Sequence, residues 1–335
     1  MEKIDRSYLR HIRYAVQWSI FFFLIYAGYK FYLFVGHFTS GNSPALLVGR
    51  PPSVEGFLPI GALMALKLWL TTGIFDRIHP AGLVIFIAAA VMSLLLKKSF
   101  CGWICPVGAL SDLTWKFGKK ISGKNFILNR HIDYPLRSLK YLLMMFFIYV
   151  IVVKMPPLEI FKFLEGDYYV IADVKMLYFF TKMTLVTFIT LVILFAASLF
   201  FKNFWCRYLC PYGALLGLIS SCSPLKITRN EATCIDCGKC TKNCPSLLPV
   251  DKKIRIHSPE CTGCLTCVSH CPAKGALDAS FTKNRILNPL VFAILIVGLF
   301  FGVIAIGKLA DRWNSAVTYE DYKRIIPQIS RLEHP

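Results

Sequence analysis

Charge is scarce in this 335-residue chain. Charged residues make up 17% of it, against roughly a quarter in an ordinary soluble domain. Hydrophobic residues take 56%, with 27 Phe and 15 Tyr. This balance excludes a secreted globular enzyme and a disordered chain and predicts an α-helical multi-pass membrane protein. Acids are scarcer still, with 19 Asp+Glu against 38 Lys+Arg. None lies in the five stretches read as spanning helices, 14–36, 80–96, 138–155, 177–201 and 289–307. Proton and ion pathways depend on intramembrane carboxylates, so a pump or transporter is disfavoured. A cleavage signal is missing too. The basic start (Lys3, Arg6, Arg10, Arg13) leads into an apolar run too long for a signal-peptide core, with no small-x-small site after it, which predicts a retained anchor.

A sixth apolar stretch, 57–75, contains Pro59, Gly61, Lys67 and Gly73. A central lysine costs roughly 2.5–3.5 kcal/mol on insertion, so this stretch is expected to be a re-entrant or interfacial helix on the outer face. A net charge of +19 raises the question of a nucleic-acid partner, but the distribution answers it. With five spans and an inner N-terminus, the regions 1–13, 97–140 and 202–285 face the cytoplasm and carry 25 of the 38 basic residues. The outer loop near 156–176 instead holds Glu159, Glu165, Asp167 and Asp173. That is the positive-inside pattern, and the partner it implies is the lipid bilayer of the cytoplasmic (inner) membrane. In the last span Gly298 and Gly302 form a GxxxG pair, read as a packing face within the chain.

Twelve of the 13 cysteines fall in regular groups. Residues 234–245 read CIDCGKCTKNCP and residues 261–272 read CTGCLTCVSHCP, each the C-x2-C-x2-C-x3-C-P run of bacterial ferredoxins. A zinc site uses four ligands, whereas two tandem sets of four call for two [4Fe–4S] clusters. The fourth cysteine of each run ligates the other cluster. Cluster one is therefore expected on Cys234, Cys237, Cys240 and Cys271, and cluster two on Cys261, Cys264, Cys267 and Cys244. His270 is read as a neighbour of Cys271 rather than a ligand, and the isolated Cys222 as an inert buried thiol.

The chain also repeats itself. SLLLKKSFCGWICPVGALSDL (93–113) matches SLFFKNFWCRYLCPYGALLGL (198–218) in outline, each an apolar helix end followed by C-x3-C-P and Gly-Ala-Leu. A duplicated element of this kind predicts a pseudo-symmetric pair. Cys101, Cys105, Cys206 and Cys210 are expected at i and i+4 on helical turns, meeting at the cytoplasmic interface. They suit either a third iron–sulfur cluster or metal, or a set of redox thiols without metal.

Two span-end C-x3-C-P motifs followed by a double ferredoxin run resemble the NapH-type membrane ferredoxins over roughly residues 10–285. These are quinol dehydrogenase subunits associated with periplasmic nitrate reductase. Related layouts occur in the membrane regulator of nitrous oxide respiration and in copper-handling ferredoxins of oxidase assembly. The last span and the tail 309–335 depart from the NapH pattern, whose chains end in the cytoplasm.

The organisation expected is a membrane domain over 1–221, a cytoplasmic 2[4Fe–4S] ferredoxin domain over 222–285, a last spanning helix over 286–308 and a periplasmic tail over 309–335. The function implied is electron transfer between the quinone pool and a partner redox subunit or cytochrome. An accessory protein that assembles or reduces a metal centre elsewhere is the alternative, and a redox sensor a third reading. No catalytic residue is evident, but Glu55 and His79 are quinone-site candidates by type. Histidine titrates near neutrality, and burial raises a carboxylate towards that range. The plainer reading pairs Arg50 and Arg77 with Glu55 and Asp76 and leaves His79 to cap a helix.

Overall fold

The computed structural model describes residues 6–39, 48–281, 286–329 and 331–332. These are mostly helical. Among the described residues three helices are long and apolar enough to cross a membrane: Tyr8–Thr39, Arg130–Lys154 and Pro289–Leu309. A fourth span arises if Ala172–Thr181 and Leu185–Phe200, bent by 76°, count as one. Only 17 to 22% of the apolar windows of the three long helices is buried within the chain. Their outward-facing phenylalanines and leucines need another apolar medium, so this is a membrane protein. The expected span over 80–96 is the helix Pro80–Leu96 of 17 residues, shorter than the ~20 that cross a bilayer upright. The stretch 57–75 contains a helix of 14 residues, Pro59–Thr72.

The chain divides into two compact units. The first comprises Met1–Phe21, Ala89–Met144 and Val192–Phe300. It holds every cysteine and a three-stranded antiparallel sheet, β1 (Lys226–Arg229), β2 (Leu277–Ser280) and β3 (Ile286–Leu287), in that order. Lys226 lies opposite Ser280 and Arg229 opposite Leu277, so the sheet closes the two ends of the ferredoxin run on each other. The N-terminal helix is fixed to the same unit by Arg13, which donates to Asp112 at 3.0 Å, and by Gln17, which donates to the Gly102 carbonyl at 2.9 Å.

The second unit comprises Phe22–Ala88, Met145–Leu191 and Phe301–Pro335. It explains Lys67. The helix Arg130–Ile148 continues into a π-turn, Tyr149–Lys154, where backbone carbonyls lose their regular helical partners. Lys67 Nζ donates to two of them, Ile151 and Val152, at 3.0 Å each. A short C-terminal helix, Tyr319–Ile325, starts at a capping box made by Thr318 and Asp321 and buries Tyr322 edge-on against Phe34. In the last span Gly298 and Gly302 do not pack within the chain as read from sequence. A Cβ at either would meet nothing within 4 Å, because the face they occupy is turned outward.

Candidate functional site

The ferredoxin run folds around two cavities. One is lined by Cys244, Cys261, Cys264 and Cys267. The other is lined by Cys234, Cys237, Cys240 and Cys271. Each thus draws three cysteines from one run and the fourth from the other. Two short helices, Lys239–Lys242 and Thr266–Ser269, carry the third cysteine of each run. The environments differ. Cys244, Cys261 and Cys267 are buried, whereas Cys237 is exposed. Burial pushes the Cys244 thiol up to about 12 and raises Cys261 and Cys267 as well. Such thiols ionise only when a bound cation compensates them, the usual coupling of metal binding to ligand deprotonation. His270 turns its Nδ1 to the Thr266 carbonyl at 2.8 Å. Cys222 is exposed rather than buried, because it follows the last turn of the helix Pro211–Ser221.

The two C-x3-C-P motifs share one local geometry, and it is not the α-turn expected from their spacing. Each first cysteine sits in a π-turn, Phe100–Ile104 and Trp205–Leu209. The turns are closed by i+5 hydrogen bonds, from Cys105 N to the Phe100 carbonyl at 2.9 Å and from Cys210 N to the Trp205 carbonyl at 3.1 Å. Each second cysteine is extended, with ψ of 122° and 103°, because a residue before proline is kept out of the α region. It then becomes the N-cap of a new helix beginning at Pro106 or Pro211. The Gly213 N–H donates to the Cys210 sulfur at 3.2 Å, and the helix N-terminus favours negative charge there. A Cβ at Gly108 would run into the Cys101 carbonyl, so that turn requires glycine.

All four of these thiols are raised by burial, Cys101 to about 12 and Cys105 to about 11, and for Cys101, Cys105 and Cys206 the neighbouring thiols add to the rise. That mutual influence spans both repeats. Among the described residues no three His, Cys, Asp or Glu side chains converge on the position of a single metal ion. Iron–sulfur clusters have several irons, so their thiolates ring a cavity rather than meet at a point.

Both repeats grip the same part of the ferredoxin run. From the first, Trp103 Nε1 donates to the Gly263 carbonyl at 3.1 Å. A Cβ at Gly102 would stand 2.8 Å from the Thr262 carbonyl and 3.4 Å from the Cys264 Cβ. From the second, Arg207 Nη1 donates to the Ser246 carbonyl at 2.7 Å. Thr262, Cys264 and Ser246 all line the cavity of Cys244, Cys261, Cys264 and Cys267. No sequence signal marked this docking beyond the glycine and tryptophan inside the first motif.

Glu55 and His79 meet in the second unit around Arg50. Arg50 Nη1 donates to Glu55 at 2.6 Å and its Nη2 lies 2.7 Å from Asp173. Asp76 accepts from the Tyr169 hydroxyl at 2.7 Å and from the backbone N–H of Ile78 and His79. Arg50 therefore pairs with Glu55 as the plainer reading has it, but its second acid is Asp173, which sequence reasoning missed. Glu55 and His79 are buried to within 1%. His79 Nε2 donates to the Tyr169 carbonyl at 2.7 Å and Nδ1 accepts from Arg50 Nη2 at 3.1 Å. Nδ1 also lies 3.6 Å from Glu55, which pairs with the imidazole when it is protonated. Burial alone would lower the imidazole pKa, but Glu55 and Asp173 outweigh it and raise it above 6.5. A raised pKa stabilises the fold fully below the unfolded value and loses that contribution as pH rises through the folded value. Melting temperature is therefore expected to fall as pH rises above about 6.5, and His79→Gln to flatten that limb in a pH series of thermal melts.

Comparisons with known proteins place iron–sulfur domains over the cysteine motifs. A family model described as a 4Fe-4S binding domain matches residues 78–125 and 183–230, one C-x3-C-P motif in each. A second, a 4Fe-4S dicluster domain, matches residues 226–272. The chain is 45% identical over 328 residues to the "Putative electron transport protein YccM" of Escherichia coli (strain K12), covering 96% of this chain and 91% of that protein. The chain belongs to the NapH-type membrane 4Fe-4S ferredoxins. More distant relatives include the methylamine utilization ferredoxin-type protein MauN of Methylobacillus flagellatus, 23% identical over 63% of this chain and 68% of its own. The regulatory protein NosR of Pseudomonas aeruginosa is 28% identical over 52% of this chain and 23% of its own. No solved structure matches. As a membrane ferredoxin of this family, the chain binds iron–sulfur clusters and transfers electrons.

Proposed function

We propose that this membrane ferredoxin carries electrons between the quinone pool and a partner redox enzyme through three iron–sulfur sites. Cys234, Cys237, Cys240 and Cys271 hold the first, and Cys244, Cys261, Cys264 and Cys267 the second. Cys101, Cys105, Cys206 and Cys210 hold the third. An iron–sulfur cluster, when bound, supplies one-electron redox chemistry. The protein supplies order. The observation that carries this reading is the seating of both repeats on the loops of the second cavity, through Trp103 and Gly263 and through Arg207 and Ser246. This contact makes the second site the neighbour of the four-cysteine site. It leaves the first site, with exposed Cys237, for exchange with a partner. The double match of a 4Fe-4S binding family over the repeats supports iron at the third site. The orientation proposed has five spans, the N-terminus and ferredoxin domain (222–285) in the cytoplasm and the tail 309–335 in the periplasm of the inner membrane. It rests on the placement of basic residues.

Quinol oxidation also releases protons. The buried Glu55–His79 pair around Arg50 is proposed to receive them, since a carboxylate and an imidazole in contact offer a proton acceptor whose charge Arg50 offsets. Anaerobic mixing of the detergent-solubilised protein with a short-chain quinol is expected to bleach the cluster absorbance. The Glu55→Gln/His79→Gln chain should lose that response while dithionite still reduces it. No bleaching of the parent chain would refute the quinone reading, and unchanged bleaching in the double variant would move the proton acceptor elsewhere.

A further inference from the structure

The two repeats differ at one position that matters to charge. Aligned on their cysteines, Lys97 matches Lys202 and Lys98 matches Asn203. The first pair does the same task twice. Lys97 Nζ lies 3.3 Å from the Ser258 carbonyl, just before Cys261, and Lys202 Nζ donates to the Lys242 carbonyl, just before Cys244, at 3.2 Å. The second pair does not. Asn203 is taken up by Ser111 at 3.1 Å and by the Pro245 carbonyl at 3.4 Å. Lys98 is buried, 4% exposed, and hydrogen-bonds to none of these.

Lys98 shares its acid partner with a second lysine. Its nearest acid, Glu260, stands 4.0 Å away. Glu260 is already satisfied by Lys140 Nζ at 2.6 Å and by the Tyr141 hydroxyl at 2.7 Å. Two buried cations thus share one buried carboxylate. The trio is left with one net positive charge, which is expensive to bury, and thiols that ionise on binding a cluster can offset it. Although burial alone would lower the Lys98 pKa, Glu260 and then Cys101, Cys206 and Cys210 raise it. Cysteines of both repeats therefore bear on this one ammonium group.

We propose that Lys98 is a positioning residue for the redox potential of the four-cysteine site, its spare positive charge stabilising the electron added there. The inference rests on the reading that Cys101, Cys105, Cys206 and Cys210 hold an iron–sulfur cluster. Reduction adds one electron from the reductant and moves no proton, so the site gains one negative charge, and a fixed cation beside it favours the reduced form. Asn203, its counterpart in the second repeat, carries no such charge.

The test is an anaerobic redox titration of the full chain, followed by electron paramagnetic resonance, with dithionite as reductant and iron analysis on each sample. Lys98→Met is expected to keep its iron while the reduced fraction of the third site at a fixed potential falls about tenfold, a shift of about 59 mV for a one-electron couple. Lys98→Arg should restore the parent midpoint, and Glu260→Gln should move it the opposite way, since it removes a negative charge. A merely structural lysine would not give shifts of opposite sign. Unchanged midpoints with iron retained, or shifts of the same sign in Lys98→Met and Glu260→Gln, would overturn the proposal. Should Lys98→Met fail to fold, the sign in Glu260→Gln and the match of Lys98→Arg to the parent decide it. A parent chain whose iron content is unaffected by Cys101→Ser/Cys206→Ser would instead refute the cluster reading on which it rests.

Discussion

Cys244→Ser is expected to strip iron from the site of Cys261, Cys264 and Cys267 and to leave the site nearer to it in sequence intact. Cys244 closes the first run, four residues after Cys240, yet it lines the cavity formed by the second run. Cys271 closes the second run and lines the cavity of the first. The loss should be about four irons per chain if serine fails to hold the cluster, with the spectrum of the remaining ferredoxin cluster unchanged. Cys271→Ser should give the reciprocal result. Iron and sulfide analysis together with electron paramagnetic resonance of both variants checks this. If Cys244→Ser instead removes the cluster of Cys234, Cys237 and Cys240, ligation follows sequence order and the cavities have been misassigned.

Arg50→Ala should be strongly destabilising. Arg50 is the shared partner of Glu55 and Asp173, both buried. Its guanidinium pKa is raised because these two acids overcome the effect of burial. Removing one partner of a buried ion pair costs about 3–5 kcal/mol, since the other charge is left uncompensated. Here two carboxylates lose their partner at once. A thermal melt in detergent should show a large drop, partly recovered in Arg50→Ala/Glu55→Gln because that variant has one fewer stranded charge. A melt unchanged by Arg50→Ala would mean that this network contributes nothing to the fold of the second unit.

Much of the site was legible in the sequence because iron–sulfur ligation imposes fixed spacings. The two C-x2-C-x2-C-x3-C-P runs led directly to the two groups of four cysteines that the cavities bring together. The repeat was legible as well, but its geometry was not. Spacing alone gives Cys101 and Cys105 one face of an α-helix, whereas Pro106 and the π-turn displace the second cysteine to a helix start. Residues joined across the chain were harder to anticipate. Lys140 reads as one more basic residue of the 97–140 region until Glu260, 120 positions later, supplies its partner. Lys67 reads as a cost until the π-turn at Tyr149–Lys154 offers its carbonyls. Glu55 and His79 were recognisable by type, but Asp173 and Tyr169 complete their network from a distant segment. Local motifs encode ligands, while neutralising partners are set by tertiary packing.

The seam between Arg6 and the ferredoxin sheet bears on how this protein is made. Arg6 donates to Asp278 at 2.7 Å and to the Leu277 carbonyl at 3.0 Å, joining residues 272 and 271 positions apart. A ribosome must therefore synthesise most of the chain before the N-terminal helix can find this partner. The strands β1 and β2 pair over a much shorter separation, so the ferredoxin segment can fold on itself first. Contacts of high sequence separation form late and slowly. Biogenesis is thus expected to have a natural pause point, with a self-contained iron-accepting segment waiting beside helices that have already entered the bilayer, and Arg6 latching it in place afterwards.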